Sequence, residues 1–254
     1  MNIELQEIDM SHADSGPYGI AVSREGNVWF TQHKANKISC LHQDGTIKEC
    51  IVPTPDARVL CLTISSIGDI WFTEMNGNRI GRLTAEGVIH EYELPNEESY
   101  PSFITLGPDD SLWFTENQNN AIGKITGSGE ITEYPIPTSG AAPVGLANGN
   151  DGDLWFTEIM GNKIGRITMS GEIKEYDIPT PNARPHAIAA GVESDLWFTE
   201  WGANKIGRFT KERTFEEYTI QTPNGEPHGI GCDKEGCVWF ALECNKIGNL
   251  RFLK

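Results

Sequence analysis

The chain has 254 residues, with 36 acidic against 20 basic side chains and a formal charge of −16. That balance argues against nucleic acid as a partner, since phosphate binding needs a basic surface, and against attraction to an anionic membrane. No apolar run reaches the roughly 18 residues of a spanning helix, and the acidic start MNIELQEIDM lacks the basic and apolar regions of a signal peptide, so a cytoplasmic location is expected.

The first recognisable element is IELQEID at 3–9, which resembles the last segment of a repeat that then fills the chain. Trp-Phe recurs at 29, 71, 113, 155, 197 and 239, always in steps of 42. One unit, read from Pro185, contains PHAIA, DLWFTE, NKIGRFT and TFEEYTI, separated by Gly, Asn, Asp, Ser and Pro. Short β-branched and aromatic segments between turn residues predict strands, and four in roughly 40 residues predict a propeller blade. The last unit, from Pro227, stops before a fourth segment. The expected fold is therefore all-β: one domain over 1–254, a six-bladed β-propeller of four-stranded antiparallel blades. The N-terminal strand completes the last blade and closes the ring, which leaves no open sheet edge. A closed ring needs no partner chain, so a monomer is expected. The six cysteines contain no C-x-x-C pair and are expected to be buried thiols.

Residues shared by most units are expected to build the blade. Trp and Phe fill the space between blades, Ile-Gly lets strands approach, and Tyr92, Tyr134, Tyr176 and Tyr218 mark the fourth strand. Glu74, Glu116, Glu158 and Glu200 follow each Trp-Phe-Thr and read as structural acceptors.

Departures from the repeat point to a site. Eleven residues before each Trp stand Tyr18, Leu60, Ser102, Val144, His186 and His228, at the start of the strand that lines the central channel. Two positions earlier stand Gly16, Arg58, Tyr100, Ala142, Arg184 and Glu226. In an extended segment Glu226 and His228 point the same way. The loop after each second strand shares that face; its last copy, ALECN, is one residue shorter and offers Glu243, with a register uncertain by one. Glu226, His228 and Glu243 then come from blade six, His186 and Trp201 from blade five, and Tyr18 from blade one. Converging carboxylates suit a hard divalent cation, most simply magnesium, and a free histidine suits a general base. His33 lies on this face, whereas His42 and His90 flank opposite turns and are expected to be exposed; His12 gains less support.

GPYGI at 16–20, TQHKANKIS at 31–39, FTENQNNAIG at 114–123, NARPHAI at 182–188, FTEWGANKIG at 198–207 and EPHGI at 226–230 resemble the streptogramin B lyases, the virginiamycin B lyase family, along nearly the whole chain. The resemblance implies a magnesium-dependent antibiotic-resistance enzyme that opens cyclic depsipeptides by elimination at the ester. It implies His228 as the base that removes a Cα proton, His186 as a further catalytic-site residue, Glu226 and Glu243 as metal carboxylates, and Tyr18, Trp201 and Arg184 as substrate contacts.

The resemblance also implies seven blades, one more than this chain has, with the join in blade two after IWFTE at 70–74. Blades five, six and one keep the candidate residues. Residues displaced by about 1 Å lose much of their catalytic power. A propeller that only binds metal or ligand, a metal-dependent lactone or ester hydrolase, and a protein-binding scaffold therefore stand as alternatives.

Overall fold

The structure is a computed structural model that describes residues 14–251. Its described residues form 23 strands and no helix. Six antiparallel sheets follow the repeat, at 17–51, 59–93, 101–135, 143–177, 185–219 and 227–250, each with its strands in chain order. In blade five the strands are Pro185–Ala190, Leu196–Glu200, Lys205–Phe209 and Phe215–Thr219, each within one residue of its sequence segment. Blade six shows three strands among the described residues. IELQEID, read as its fourth strand, lies outside them.

The repeated Trp packs in two directions. Within its blade it stacks on the fourth-strand Tyr, as Trp113 does on Tyr134 with ring centroids 5.4 Å apart. It also faces the next blade: Trp155, Ile164 and Ile178 form one buried cluster with Ile188, Leu196, Phe198 and Phe209. Each large side chain buried this way contributes roughly 1.5–3 kcal/mol. The Gly of each Ile-Gly makes room for the Phe beside it. A Cβ on Gly165 would stand 2.1 Å from Phe156 Cζ, and Phe156 is wholly buried. Gly165→Ala is therefore expected to cost about 1–3 kcal/mol, read as a lower midpoint of urea unfolding; an unchanged midpoint contradicts this packing.

Five blade junctions repeat this arrangement, and the flanks of the sixth are exposed. Ile104, Leu62 and Ile188 are at most 7% exposed, whereas Ile20 in the same column of blade one is 68% exposed. On blade six Ile247 is 71% exposed, against 0–1% for Ile38, Ile80, Ile122, Ile164 and Ile206. A Cβ on Gly145 would meet the neighbouring blade at 2.4 Å, while one on Gly229 would meet only its own blade. The site lies on both sides of this junction.

All six cysteines are free. Cys40 and Cys237 are buried, Cys50, Cys61 and Cys232 partly so, and Cys244 is exposed, which corrects the expectation that all six are buried.

Candidate functional site

Asparagines hold the site loops. Asn162 and Asn204 end the turn before the third strand in the left-handed region, with φ of 58° and 56°, which Asn tolerates better than most residues. Their side chains reach the loop that enters the next blade. Asn162 Oδ1 accepts the Ala183 N–H at 2.7 Å, and Asn204 Oδ1 accepts the Gly225 N–H at 2.8 Å. Arg184 and Glu226 follow directly, and the next residue of each chain segment opens the first strand. The Glu243 N–H donates to Gly225 O at 3.0 Å and Glu226 O at 3.3 Å. This bears out the placing of both loops on one face.

The register of Glu243 is now fixed. Pro227 pairs with Leu242 as Pro185 pairs with Glu200 and Val59 with Glu74. Leu242 therefore takes the place of the repeat Glu, and Glu243 falls in the column of His33, Met75, Asn117, Ile159 and Trp201.

His228 is the hub of the arrangement. Its ring centroid lies 4.4 Å from that of His186 and 5.9 Å from that of Trp201. Its Nε2 is 2.8 Å from Glu243 Oε1. That is ion-pair distance, but off the line of a hydrogen bond, so His228 Nε2 has no hydrogen-bond partner. His186 Nδ1 and Trp201 Nε1 are also buried without partners. Unpaired buried polar atoms are costly, and three on neighbouring rings are suited to a polar ligand. Burial, with the His228 ring beside it, pushes the His186 pKa down to about 4. His186 is therefore neutral at working pH.

Glu226 sits elsewhere than the alternation argument put it. It has φ of 48°, and its strand begins only at Pro227, so Glu226 and His228 are not an extended i, i+2 pair. Glu226 instead lines a groove of about 390 Å³ with Asn182, Arg184, Trp201, Asn204 and Asn224. The Arg184 guanidinium lies over the Trp201 ring, 5.4 Å from its centroid, so Trp201 stands between this groove and His228.

A central cavity of about 220 Å³ lies on the other side, lined by Tyr18, His33, Arg58, Met75, Phe103 and His186. Tyr18 meets His33 edge-on at 5.8 Å. Its pKa is raised, first by burial of the hydroxyl and then by Cys61; Arg58 opposes the shift and Glu243 adds to it. His33 is on the functional face as expected. His90 is exposed, His42 is half-buried rather than exposed, and His12 lies outside the described residues. Arg58 and Met75 were missed, although both stand in columns already singled out, those of Arg184 and Glu226 and of Trp201. Phe103 carries no such signal, since it follows the informative column by one.

Among the described residues no three His, Cys, Asp or Glu side chains converge as a metal-binding group. The chain therefore offers Glu226 and Glu243 as two carboxylates on loops bonded to each other. Magnesium commonly takes one or two carboxylates and fills its remaining positions with water and substrate oxygens. Carboxylate oxygens are the donors such an ion takes; Glu226 lines the groove beside Arg184, and Glu243 stands at His228.

The sequence model of the virginiamycin B lyase family matches residues 3–250. A virginiamycin B lyase of Staphylococcus aureus is 57% identical over 55 residues, a segment that spans 22% of this chain and 18% of that one. Those shares put the relative at about 300 residues, roughly one repeat longer than this chain. A solved selenomethionine form of the Staphylococcus aureus enzyme is 58% identical over 98% of this chain and 99% of that one, with a TM-score of 0.76. A catalytically inactive histidine-to-alanine variant, solved with quinupristin, is 56% identical over the same shares, also with a TM-score of 0.76.

Proposed function

The chain belongs to the virginiamycin B lyase family, and from that premise we propose that it linearises streptogramin B cyclic depsipeptides by elimination at the ester bond. The observation that carries this reading is the cluster of His186, His228 and Glu243, with unpaired ring nitrogens at the channel mouth. Two features of the relatives support it. Quinupristin was solved with the inactive variant, and replacing one histidine by alanine is enough to abolish catalysis there.

In this reading His228 Nε2 takes the proton from the Cα of the residue whose β-oxygen forms the ester. The electron pair of that C–H bond becomes the Cα–Cβ double bond, the Cβ–O bond breaks, and the ester carboxylate leaves with both bonding electrons. Glu243, 2.8 Å from Nε2, stabilises the imidazolium that forms. His186 stays neutral and supplies a hydrogen bond rather than a charge. Tyr18, Trp201 and Arg184 form the walls against which the substrate rests. Glu226 and Glu243 would hold magnesium, which when bound supplies positive charge to the carbonyl beside the acidic Cα. The same proposal takes the protein as a cytoplasmic monomer. Among the described residues no helix is long and apolar enough to cross a membrane.

Loss of quinupristin followed by chromatography tests the metal. Conversion is expected to need added magnesium and to stop on chelation. Glu226→Ala and Glu243→Ala should raise the magnesium concentration required. An unchanged requirement in both variants places the ion elsewhere.

A further inference from the structure

In blades one to five, one threonine ties the blade to the next. The first strand bulges just after its opening Pro, so its ladder with the second strand is interrupted at the column that holds Tyr18, His186 and His228. The bulge leaves the carbonyl in that column without a ladder partner, and the Thr of Trp-Phe-Thr in the preceding blade takes it. Thr31 donates to Leu60 O at 2.8 Å, Thr73 to Ser102 O at 3.1 Å and Thr115 to Val144 O at 2.9 Å. Thr157 donates to His186 O at 2.7 Å, and Thr199 to His228 O at 2.9 Å. Each hydroxyl also accepts an N–H from its own first strand, as Thr199 accepts that of Ala187 at 3.0 Å. All five threonines are wholly buried. The sixth place is Ala241, which has no hydroxyl to offer the Tyr18 carbonyl.

We infer that Thr157 and Thr199 are positioning residues for the two histidines, an assignment that rests on the reading of the site above. The His186–His228 contact crosses the junction between blades five and six, and its 4.4 Å spacing depends on how those blades are seated. Thr199 bonds both of their first strands at once, through Ala187 N and His228 O. Thr157 fixes His186 from the other side, through blade four. Both histidine carbonyls are thus pinned at consecutive junctions, whereas blade six has no threonine hydroxyl for the Tyr18 carbonyl. General bases act through geometry held to a fraction of an ångström, so loss of this bond acts on turnover more than on substrate affinity.

Thr157→Val and Thr199→Val remove the hydroxyl and keep the shape. Thr73→Val breaks the same bond between blades two and three and serves as the control. All three are expected to lower the melting temperature by similar amounts. Thr157→Val and Thr199→Val are each expected to lower kcat about 10–100-fold with little change in KM. They should also move the ring resonances of His186 and His228 respectively in NMR spectra. Thr199→Ser should restore kcat, and Thr73→Val should leave kcat and both rings as in the parent. Parent-like kcat and histidine resonances in Thr199→Val overturn the assignment, as does an equal loss of kcat in Thr73→Val. Should the parent convert no streptogramin B at all, the functional reading fails by itself, and the histidine resonances still decide whether the threonines position the rings.

Discussion

Replacing His228 with alanine is expected to lower turnover of a streptogramin B by about 10²–10⁴-fold, the range a positioned general base supplies, with the fold intact. Only 31% of the His228 side chain is exposed, but its ring contacts are to His186, Trp201 and Glu243 rather than to the Trp-Phe clusters that hold the blades together. The melting temperature should therefore change far less than the rate. His186→Ala should behave differently. With its pKa near 4, His186 carries no charge between pH 5 and 9, so its loss removes a hydrogen bond and packing but no ionisation. Removing His186 should therefore leave the shape of the pH–rate profile near neutrality unchanged. Undiminished turnover in His228→Ala refutes the base assignment.

The second large effect concerns the repeat glutamates and alkaline stability. Glu74, Glu158 and Glu200 are wholly buried at the ends of second strands. Burial first, and then the neighbouring fourth-strand carboxylates Glu91, Glu175 and Glu217, push each of their pKa values up to about 8. Blade one shows what the position requires. There Gln32 replaces the Glu, and its amide donates to Ser39 Oγ at 2.6 Å and to Glu49 Oε1 at 2.9 Å. At neutral pH the three glutamates are held in the protonated form, the neutral counterpart of that amide. A folded-state pKa near 8, above an unfolded value near 4.5, means that the native state binds more protons between those limits. The stabilisation is complete below about pH 4.5, declines as pH rises, and is gone above about 8. Glutamine does not titrate. The triple variant Glu74→Gln, Glu158→Gln, Glu200→Gln is expected to gain on the parent by up to about 1.4 kcal/mol per site for each pH unit between about 4.5 and 8. Its melting temperature should also vary less between pH 6 and 9. Parallel pH curves for parent and variant contradict the protonated state.

The architecture was legible because its signal is redundant: Trp-Phe, Asn before the third strand, Ile-Gly and the fourth-strand Tyr all repeat at 42, and each makes the same contact in blade after blade. The site was legible where a departure from the repeat falls on a regular strand, as at His186 and His228. Reading failed where the backbone leaves the regular pattern. Strand alternation says nothing of Glu226, because its left-handed φ turns the side chain into the groove beside Arg184. The register of Glu243 needed the pairing of Pro227 with Leu242. The protonated state of these glutamates depends on burial and on a second carboxylate about 17 residues away, which a single column of the repeat does not reveal. The exposed flanks of the junction between blades six and one, Ile20 and Ile247, are also invisible in composition, since these residues are the ones that pack in every other blade.

Mass spectrometry of quinupristin after incubation with this protein and magnesium tests the central claim most directly. Elimination opens the ring without adding an atom, so the account predicts a new, linear species of the same mass as the substrate, carrying a carbon–carbon double bond and a free carboxylate. A product heavier by one water shows hydrolysis, and an unchanged ring shows no activity on this substrate; either result contradicts the account.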